Sequence, residues 1–220
     1  MSRCLLCESE TAIQSWAAFF GAKGPLLCEN CSAPLKKLTG PFCKICCREM
    51  KEAGICPDCA AWEGGIFHSN HSFYQYNDAM KELIACFKYR GDYALADIFA
   101  QDIRRMARRL EYDIICPVPL SLSRLAERRF NQSEALIERA GLPQTALLGR
   151  RESDKQSKKT RAERINAKQT FYPIGDAAGK TILVIDDIYT TGATMQLVAK
   201  ALQKAGAISV KSITVARSGS

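Results

Sequence analysis

Histidine is nearly missing from this chain, with His68 and His71 the only two in 220 residues. Their HxxH spacing suits a metal, but they flank a strand-like run, Phe73 to Tyr76, and a richer ligand set lies elsewhere, so a histidine-centred site is not expected. Also missing is any apolar run of membrane-spanning length, which argues against a transmembrane helix. The first residues carry no signal-peptide pattern, and a cytoplasmic location is expected. No low-complexity segment occurs, and nothing repeats except pairs of cysteines. What remains is a 220-residue chain with 47% apolar content, enough for a real core in one large or two modest domains.

Cysteine, by contrast, is abundant and unevenly placed. Eight of the eleven form four CxxC pairs within the first sixty residues: Cys4/Cys7, Cys28/Cys31, Cys43/Cys46 and Cys56/Cys59. Two thiolates two residues apart grip one ion, and two such pairs complete a closed tetrahedral site, so two structural zinc ions are expected. Sequential pairing is the simplest assignment, with Cys4, Cys7, Cys28 and Cys31 at one site and Cys43, Cys46, Cys56 and Cys59 at the other; a cross-braced pairing fits the spacing as well. Disulfides suit a reducing cytosol poorly, and nothing thioredoxin-like surrounds these pairs. Cys47, beside Cys46, is a substitute ligand, whereas Cys86 and Cys116 fall in apolar patterns and are expected in the core. Residues 1–62 hold few large apolar side chains, so this module depends on metal to fold. Residues 63–220 form the larger domain.

The formal charge of +8 overstates the positive field. Eight thiolates with two Zn²⁺ remove four charges and leave about +4. Residues 1–62 carry seven Lys/Arg against six Asp/Glu, so metallation turns that module negative, which does not suit a basic nucleic-acid clamp. Positive charge concentrates instead between Arg104 and Phe130, with seven Arg and three acids, and between Arg150 and Lys168, with eight Lys/Arg and three acids.

The most informative stretch is TILVIDDIYTTGAT, Thr181 to Thr194. The apolar run Ile182 to Ile185 reads as a buried parallel strand, two carboxylates follow, and a small hydroxyl-rich turn leads into a helical pattern. In an open parallel sheet, ligands bind beyond the carboxyl ends of the strands, where the next helix presents unpaired N–H groups. Gly192 permits close backbone approach to a phosphate, and threonine hydroxyls complete a nest around its oxygens. Asp186 and Asp187 would repel that phosphate, so they need another target, and the hydroxyls of a sugar supply it.

This stretch resembles the phosphoribosyl pyrophosphate (PRPP) motif of type I phosphoribosyltransferases. The resemblance implies that Asp186 and Asp187 hold the ribose hydroxyls and that Thr190 to Thr194 wrap the 5′-phosphate. The PRPP-binding segment then comprises Asp186, Asp187, Ile188, Tyr189, Thr190, Thr191, Gly192, Ala193 and Thr194. It further implies a pyrophosphate loop after the strand Asp113 to Val118, with Pro119, Leu120, Ser121, Arg124, Arg128 and Arg129 as contacts and Asn131 beside them. The segment from Arg150 to Arg164 has little apolar periodicity and lies between strands expected at Thr145 to Leu148 and Thr170 to Tyr172. That is the position of the catalytic hood of these enzymes, which would bring Lys158, Lys159, Arg161 or Arg164 over the pyrophosphate. Asp186, Asp187, Arg161 and Arg164 are the implied catalytic residues, and Mg²⁺ accompanies PRPP.

Around these motifs, Met80, Leu83, Ile84 and Phe87 recur at helical spacing and stop at Gly91. A second helix, about Ala94 to Leu110, presents Leu95, Ile98, Phe99, Met106 and Leu110 to a core. A last helix, Thr194 to Lys204, ends at Gly206 and feeds a strand, Val210 to Ala216. The order of parts, four CxxC pairs, FKYRGDY at Phe87 to Tyr93, PVPLS with RRFNQ, QSKKTRAERINA at Gln156 to Ala167, then DD and TTGAT, resembles the ComF family of competence proteins over nearly the whole chain. One departure is Arg129, where that family is expected to have Gly. The resemblance implies an α/β protein with an open parallel-sheet type I phosphoribosyltransferase fold and a small N-terminal zinc-ribbon-like domain. It implies a part in natural transformation, with PRPP as ligand and with single-stranded DNA or competence-machinery proteins, a helicase or a recombination mediator, as partners. Two functions stay open: ribosyl transfer with pyrophosphate release, or a non-catalytic adaptor that senses PRPP.

Overall fold

Continuous apolar runs in a chain of alternating strands and helices call for a parallel sheet covered on both faces, and the computed structural model has one; it describes residues 2–11, 24–62, 65–152 and 170–219. Near the start, β1 (Ser2–Arg3) pairs antiparallel with β2 (Glu10–Thr11). Two single-turn helices, α1 (Glu29–Ser32) and α2 (Pro57–Ala60), follow Cys28 and Cys56 at their N-caps. Next come β3 (Phe67–Gln75) and α3 (Asp78–Ala85), whose N-cap Asn77 accepts from the Met80 amide. A π-helical turn, Cys86–Arg90, prolongs α3 until Gly91 stops it at φ 71°. A 3₁₀ turn, Tyr93–Ala96, then opens α4 (Asp97–Ala107). The chain continues through β4 (Ile114–Pro117), α5 (Leu122–Arg128), α6 (Gln132–Arg139) and an antiparallel pair, β5 (Leu148–Arg150) with β6 (Phe171–Pro173). It closes with β7 (Thr181–Tyr189), α7 (Ala193–Lys204) and β8 (Ser209–Arg217).

The main sheet has the order β3-β8-β7-β4, and all three pairings are parallel. Alternate side chains of a strand point to opposite faces, and β7 divides accordingly. Leu183 and Ile185 join a core with Phe87, Phe99, Ile103 and Leu136 from the π turn, α4 and α6. Ile182 and Val184 join a second core with Met195, Val198 and Leu202 of α7. The cysteine-rich segment straddles the free edge of β3: Cys4 belongs to the first core, and Cys43, Cys46, Cys56 and Cys59 to the second. Backbone bonds from Leu38 to Phe73 (2.8 Å), Gln75 to Lys36 (2.9 Å) and Asn70 to Ile45 (2.7 Å) occupy groups that an edge strand would leave unpaired.

Several elements depart from the sequence expectation for identifiable reasons. β3 starts at Phe67, so both histidines lie inside a strand rather than beside one. Two of its three buried residues, Asn70 and Ser72, are polar, and a ladder joins them to β8 while Tyr74 enters the first core: Asn70 Oδ1 accepts from Ser212 (2.9 Å) and Thr214 (3.2 Å), and the hydroxyls of Ser72 and Thr214 lie 2.7 Å apart. β7 runs four residues past Ile185, through both aspartates to Tyr189. The second helix buries Leu95, Phe99, Ile103 and Ala107, four apart, whereas Ile98, Met106 and Leu110 only flank the core. The strand expected to end at Leu148 begins there, since its pairing with β6 runs from Leu148 to Arg150. Cys116 is buried and its thiol is pushed up to about 11 by that burial, but Cys86 is only half-buried.

Arg129 ends α5 in the left-handed conformation, φ 69°. A side chain there costs about 1–2 kcal/mol that glycine avoids. Arg129→Gly is therefore expected to fold with equal or greater stability, while Arg129→Val loses about 1–2 kcal/mol, since β-branched residues tolerate positive φ least. Chemical denaturation of the two variants checks the contrast; equal stabilities would disprove it.

Candidate functional site

The site begins where two neighbouring strands have unequal length. β4 pairs with β7 only as far as Pro117 opposite Ile185, so Asp186 and Asp187 emerge beyond the carboxyl end of β4. Asp187 is buried, and its Oδ2 lies 2.7 Å from Lys88 Nζ. Lys88 comes from the π turn at the end of α3, an irregularity that re-aims side chains relative to regular α spacing. Asp186 Oδ1 accepts from Ser133 Oγ (3.2 Å) and from the Asp187 amide (2.9 Å). Burial, and then the charge of Asp187, push the Asp186 carboxyl up to about 7 despite those bonds.

A cavity of about 220 Å³ opens over the two acids. Four cations, Lys88, Arg124, Arg128 and Arg150, line it. Arg128 Nη1 donates to Gln132 Oε1 (2.9 Å) and its guanidinium lies over the Tyr89 ring at 5.8 Å, yet its buried Nε has no partner among the described residues. Burial and the neighbouring Arg124 and Arg128 hold Arg150 below its usual value. Crowded, partly desolvated guanidinium groups with an unused donor form a receptor for an anion.

Opposite the cations, the chain turns from β7 into α7. Gly192 is the N-cap at φ 86°, and a Cβ there would lie 2.4 Å from the Tyr189 hydroxyl, so both backbone and packing demand glycine. Thr191 Oγ1 accepts from the Ala193 amide (3.4 Å), and the Thr190 carbonyl accepts from Arg217 (2.8 Å). Thr190 and Thr194 line the cavity at the amino end of α7, where unpaired N–H groups and the helix dipole favour an anion.

The cysteines gather sequentially. The sulfurs of Cys4, Cys7, Cys28 and Cys31 lie within 4.8 Å of one another, as do those of Cys43, Cys46, Cys56 and Cys59. Sulfurs at about 2.3 Å from a tetrahedral ion sit about 3.8 Å apart. Cys7 to Cys28 at 3.6 Å and Cys46 to Cys56 at 3.7 Å fit that spacing. The Cys56 amide donates to Cys43 Sγ (3.3 Å), a bond that favours a thiolate acceptor. Cys47 stays outside the set and points its thiol toward the Ser72 carbonyl. Each tetrad is thus able to hold one metal ion.

A parallel sheet with an acid pair at a strand end, a threonine-glycine turn and two cysteine tetrads defines what to compare. A family model described as a phosphoribosyl transferase domain matches residues 101–220. Competence protein ComFC of Bacillus subtilis (strain 168) is 38% identical, with 98% of this chain and 95% of the relative covered. Competence protein ComFC of Streptococcus pneumoniae (strain ATCC BAA-255 / R6) is 34% identical, over 98% of this chain and 100% of the relative. The chain belongs to the ComF family. A more distant relative, DNA utilization protein YhgH of Salmonella typhi, is 27% identical over 85% of this chain.

Of the residues assigned by resemblance in this ComF protein, Leu120, Arg124, Arg128, Asn131, Asp186, Asp187, Ile188, Thr190 and Thr194 line the same cavity. Thr191, Gly192 and Ala193 shape the turn rather than the cavity wall. Tyr189 is buried with its ring stacked on Phe67 at 6.4 Å, Pro119 and Ser121 lie outside the lining, and Arg129 is exposed near Gly91. Asn131 uses its amide to cap α6 and to hold the Val118 carbonyl (3.1 Å). Arg161 and Arg164, with Lys158 and Lys159, lie outside the described residues. Lys88, Gln132, Ser133 and Arg150 line the cavity without having been singled out as contacts. Lys88, Gln132 and Arg150 had a signal in the sequence, the first inside FKYRGDY, the second closing RRFNQ and the third opening the basic segment; Ser133 had none.

The raised pKa of Asp186 fixes a sign. Its ordinary value is 3.8, so the folded state keeps a proton that the unfolded chain releases, and stability falls as pH rises through about 7. Asp186→Asn removes that cost. Thermal denaturation should give the variant a higher Tm than the parent at pH 8 and a smaller advantage at pH 6; a difference that grows on acidification would refute the assignment.

Proposed function

We propose that this ComF protein binds PRPP with Mg²⁺ and transfers its ribosyl 5-phosphate group to an acceptor during the handling of incoming DNA. The convergence of Asp186, Asp187, the Thr190–Thr194 turn and four cations on one cavity carries the reading. In this reading the 5′-phosphate sits at the amino end of α7, the ribose hydroxyls meet Asp186 and Asp187, and the pyrophosphate lies against Arg124, Arg128 and Arg150. Lys88 would leave Asp187 for the incoming phosphate oxygens as the sugar takes its place. The acceptor's nucleophile bonds to ribose C1 while the C1–O bond breaks and pyrophosphate departs with the electron pair. A Mg²⁺ ion bound with PRPP beside Asp186 and Asp187 would supply positive charge that offsets the charge of the leaving group. Hood residues Arg161 and Arg164 would close over that charge and exclude water.

The role in DNA uptake is proposed from the relatives, named for competence and for DNA utilization. Single-stranded DNA and proteins that load or unwind it are the corresponding partners. Zinc is the proposed occupant of both tetrads, because closed sets of four thiolates are its usual structural ligands. Such sites need reduced cysteines, which fits a cytoplasmic location.

Two measurements test the reading. Metal analysis of the purified full chain should give two zinc ions, and a chain that folds with none would refute the metal assignment. Calorimetric titration with PRPP and Mg²⁺ should give one site, weakened at least tenfold, about 1.4 kcal/mol, in Asp186→Asn/Asp187→Asn. Binding that persists unchanged in the double variant would refute the assignment of the acids. Pyrophosphate release with bases, amines or single-stranded DNA then separates transfer from sensing: tight binding with no release, and an affinity for single-stranded DNA that PRPP alters, would make PRPP a regulatory ligand instead.

A further inference from the structure

The last residue of β8, Arg217, is paired across the sheet with Tyr189, and it is only 5% exposed. Its three nitrogen groups have three separate destinations. Nε donates to the Cys46 carbonyl (3.0 Å), Nη2 points to the Cys46 sulfur (3.6 Å), and Nη1 donates to the Thr190 carbonyl (2.8 Å). The guanidinium also lies over the Tyr189 ring, 5.0 Å from its centroid, and the Tyr189 hydroxyl presses against Gly192 where a Cβ would stand. One buried cation thus grips the second cysteine tetrad at one end and the head of the phosphate turn at the other.

Buried cations require countercharge. Among the described residues no carboxylate forms an ion pair with Arg217. Four thiolates around a divalent ion carry a net charge of about −2, whereas four protonated thiols carry none. The metal-loaded tetrad is therefore the counterion of Arg217. The first tetrad offers an internal contrast: among the described residues, no hydrogen bond of Cys4, Cys7, Cys28 or Cys31 reaches residues 186–194.

We infer that Arg217 is a positioning residue through which the metal held by Cys43, Cys46, Cys56 and Cys59 orders the Thr190–Thr194 turn and sets its affinity for phosphate. The inference rests on the reading that this turn receives the PRPP phosphate. Coupling of this kind is reciprocal: whatever the metal does for PRPP affinity, PRPP does for metal retention. A purely structural arginine would alter stability or metal content without linking the two ligands.

The test uses the full zinc-loaded chain, Arg217→Gln and Arg217→Lys. Zinc loss to a chromophoric chelator is followed with and without PRPP and Mg²⁺, beside calorimetric PRPP titration. In the parent chain, PRPP should slow the release of one zinc about tenfold and leave the other unchanged. Arg217→Gln, and Arg217→Lys, whose ammonium cannot span three acceptors, should bind PRPP about tenfold more weakly at equal zinc content and lose the selective protection. Should the variants not fold, the parent chain decides alone: calorimetric binding of PRPP with no selective protection overturns the inference. Variants with parental affinity and protection overturn it as well. A parent chain that binds no PRPP overturns the reading beneath it, and this inference with it.

Discussion

Two carboxylates on consecutive residues of a mostly buried strand are unstable together unless positive charge stands close by. Most of what surrounds Asp186 and Asp187 answers that constraint. Lys88 takes one of them at 2.7 Å, Ser133 and a backbone amide take the other, and Asp186 still keeps a proton to about pH 7. The lysine arrives because α3 ends in a π turn, and the serine because Asn131 caps α6 beside the end of β4. The arginines that complete the cavity leave it with more positive than negative side chains. A site balanced in this way suits an anion.

The parts legible in the sequence were those whose residues are neighbours along the chain. TILVIDDIYTTGAT carries its strand, acids, turn and helix start in order, and each CxxC pair is a local chelate. The parts that were hidden depend on sheet pairing. Nothing near Arg217 in the sequence links it to Cys46, because only the register of β8 beside β7 and the packing of the cysteine loop bring them together. β3 was underestimated because its buried face is a hydrogen-bonded ladder of Asn70, Ser72, Ser212 and Thr214 rather than an apolar stripe. Spacing alone allowed two pairings of the cysteines; the gathering of the sulfurs of Cys4, Cys7, Cys28 and Cys31 in one group and of Cys43, Cys46, Cys56 and Cys59 in another is sequential, not cross-braced. Arg129 shows the reverse case, since the glycine expected there corresponds to a left-handed backbone that this chain adopts with a side chain in place.

The cysteine-rich segment is more than an appendage to the sheet. It covers the edge of β3, sends one tetrad to each face and, at the second, meets the turn that faces the cavity. A metal held by four thiolates would leave no open position for chemistry of its own, yet it would fix backbone where the sheet meets that turn.

The position of β3 in the sheet also governs the order in which the molecule can be built. This strand, at Phe67–Gln75, pairs with β8, at Ser209–Arg217, and among the described strands with no other in the main sheet. During synthesis the cysteine loops precede β3 and are free to take up metal, but β3 must wait for its sheet partner until β8 has left the ribosome. Arg217, the last residue of β8, follows every cysteine ligand and both acids in chain order. Synthesis interrupted before Arg217 would thus give a chain with every cysteine ligand and both acids present, but without the arginine that links Cys46 to the Thr190 carbonyl.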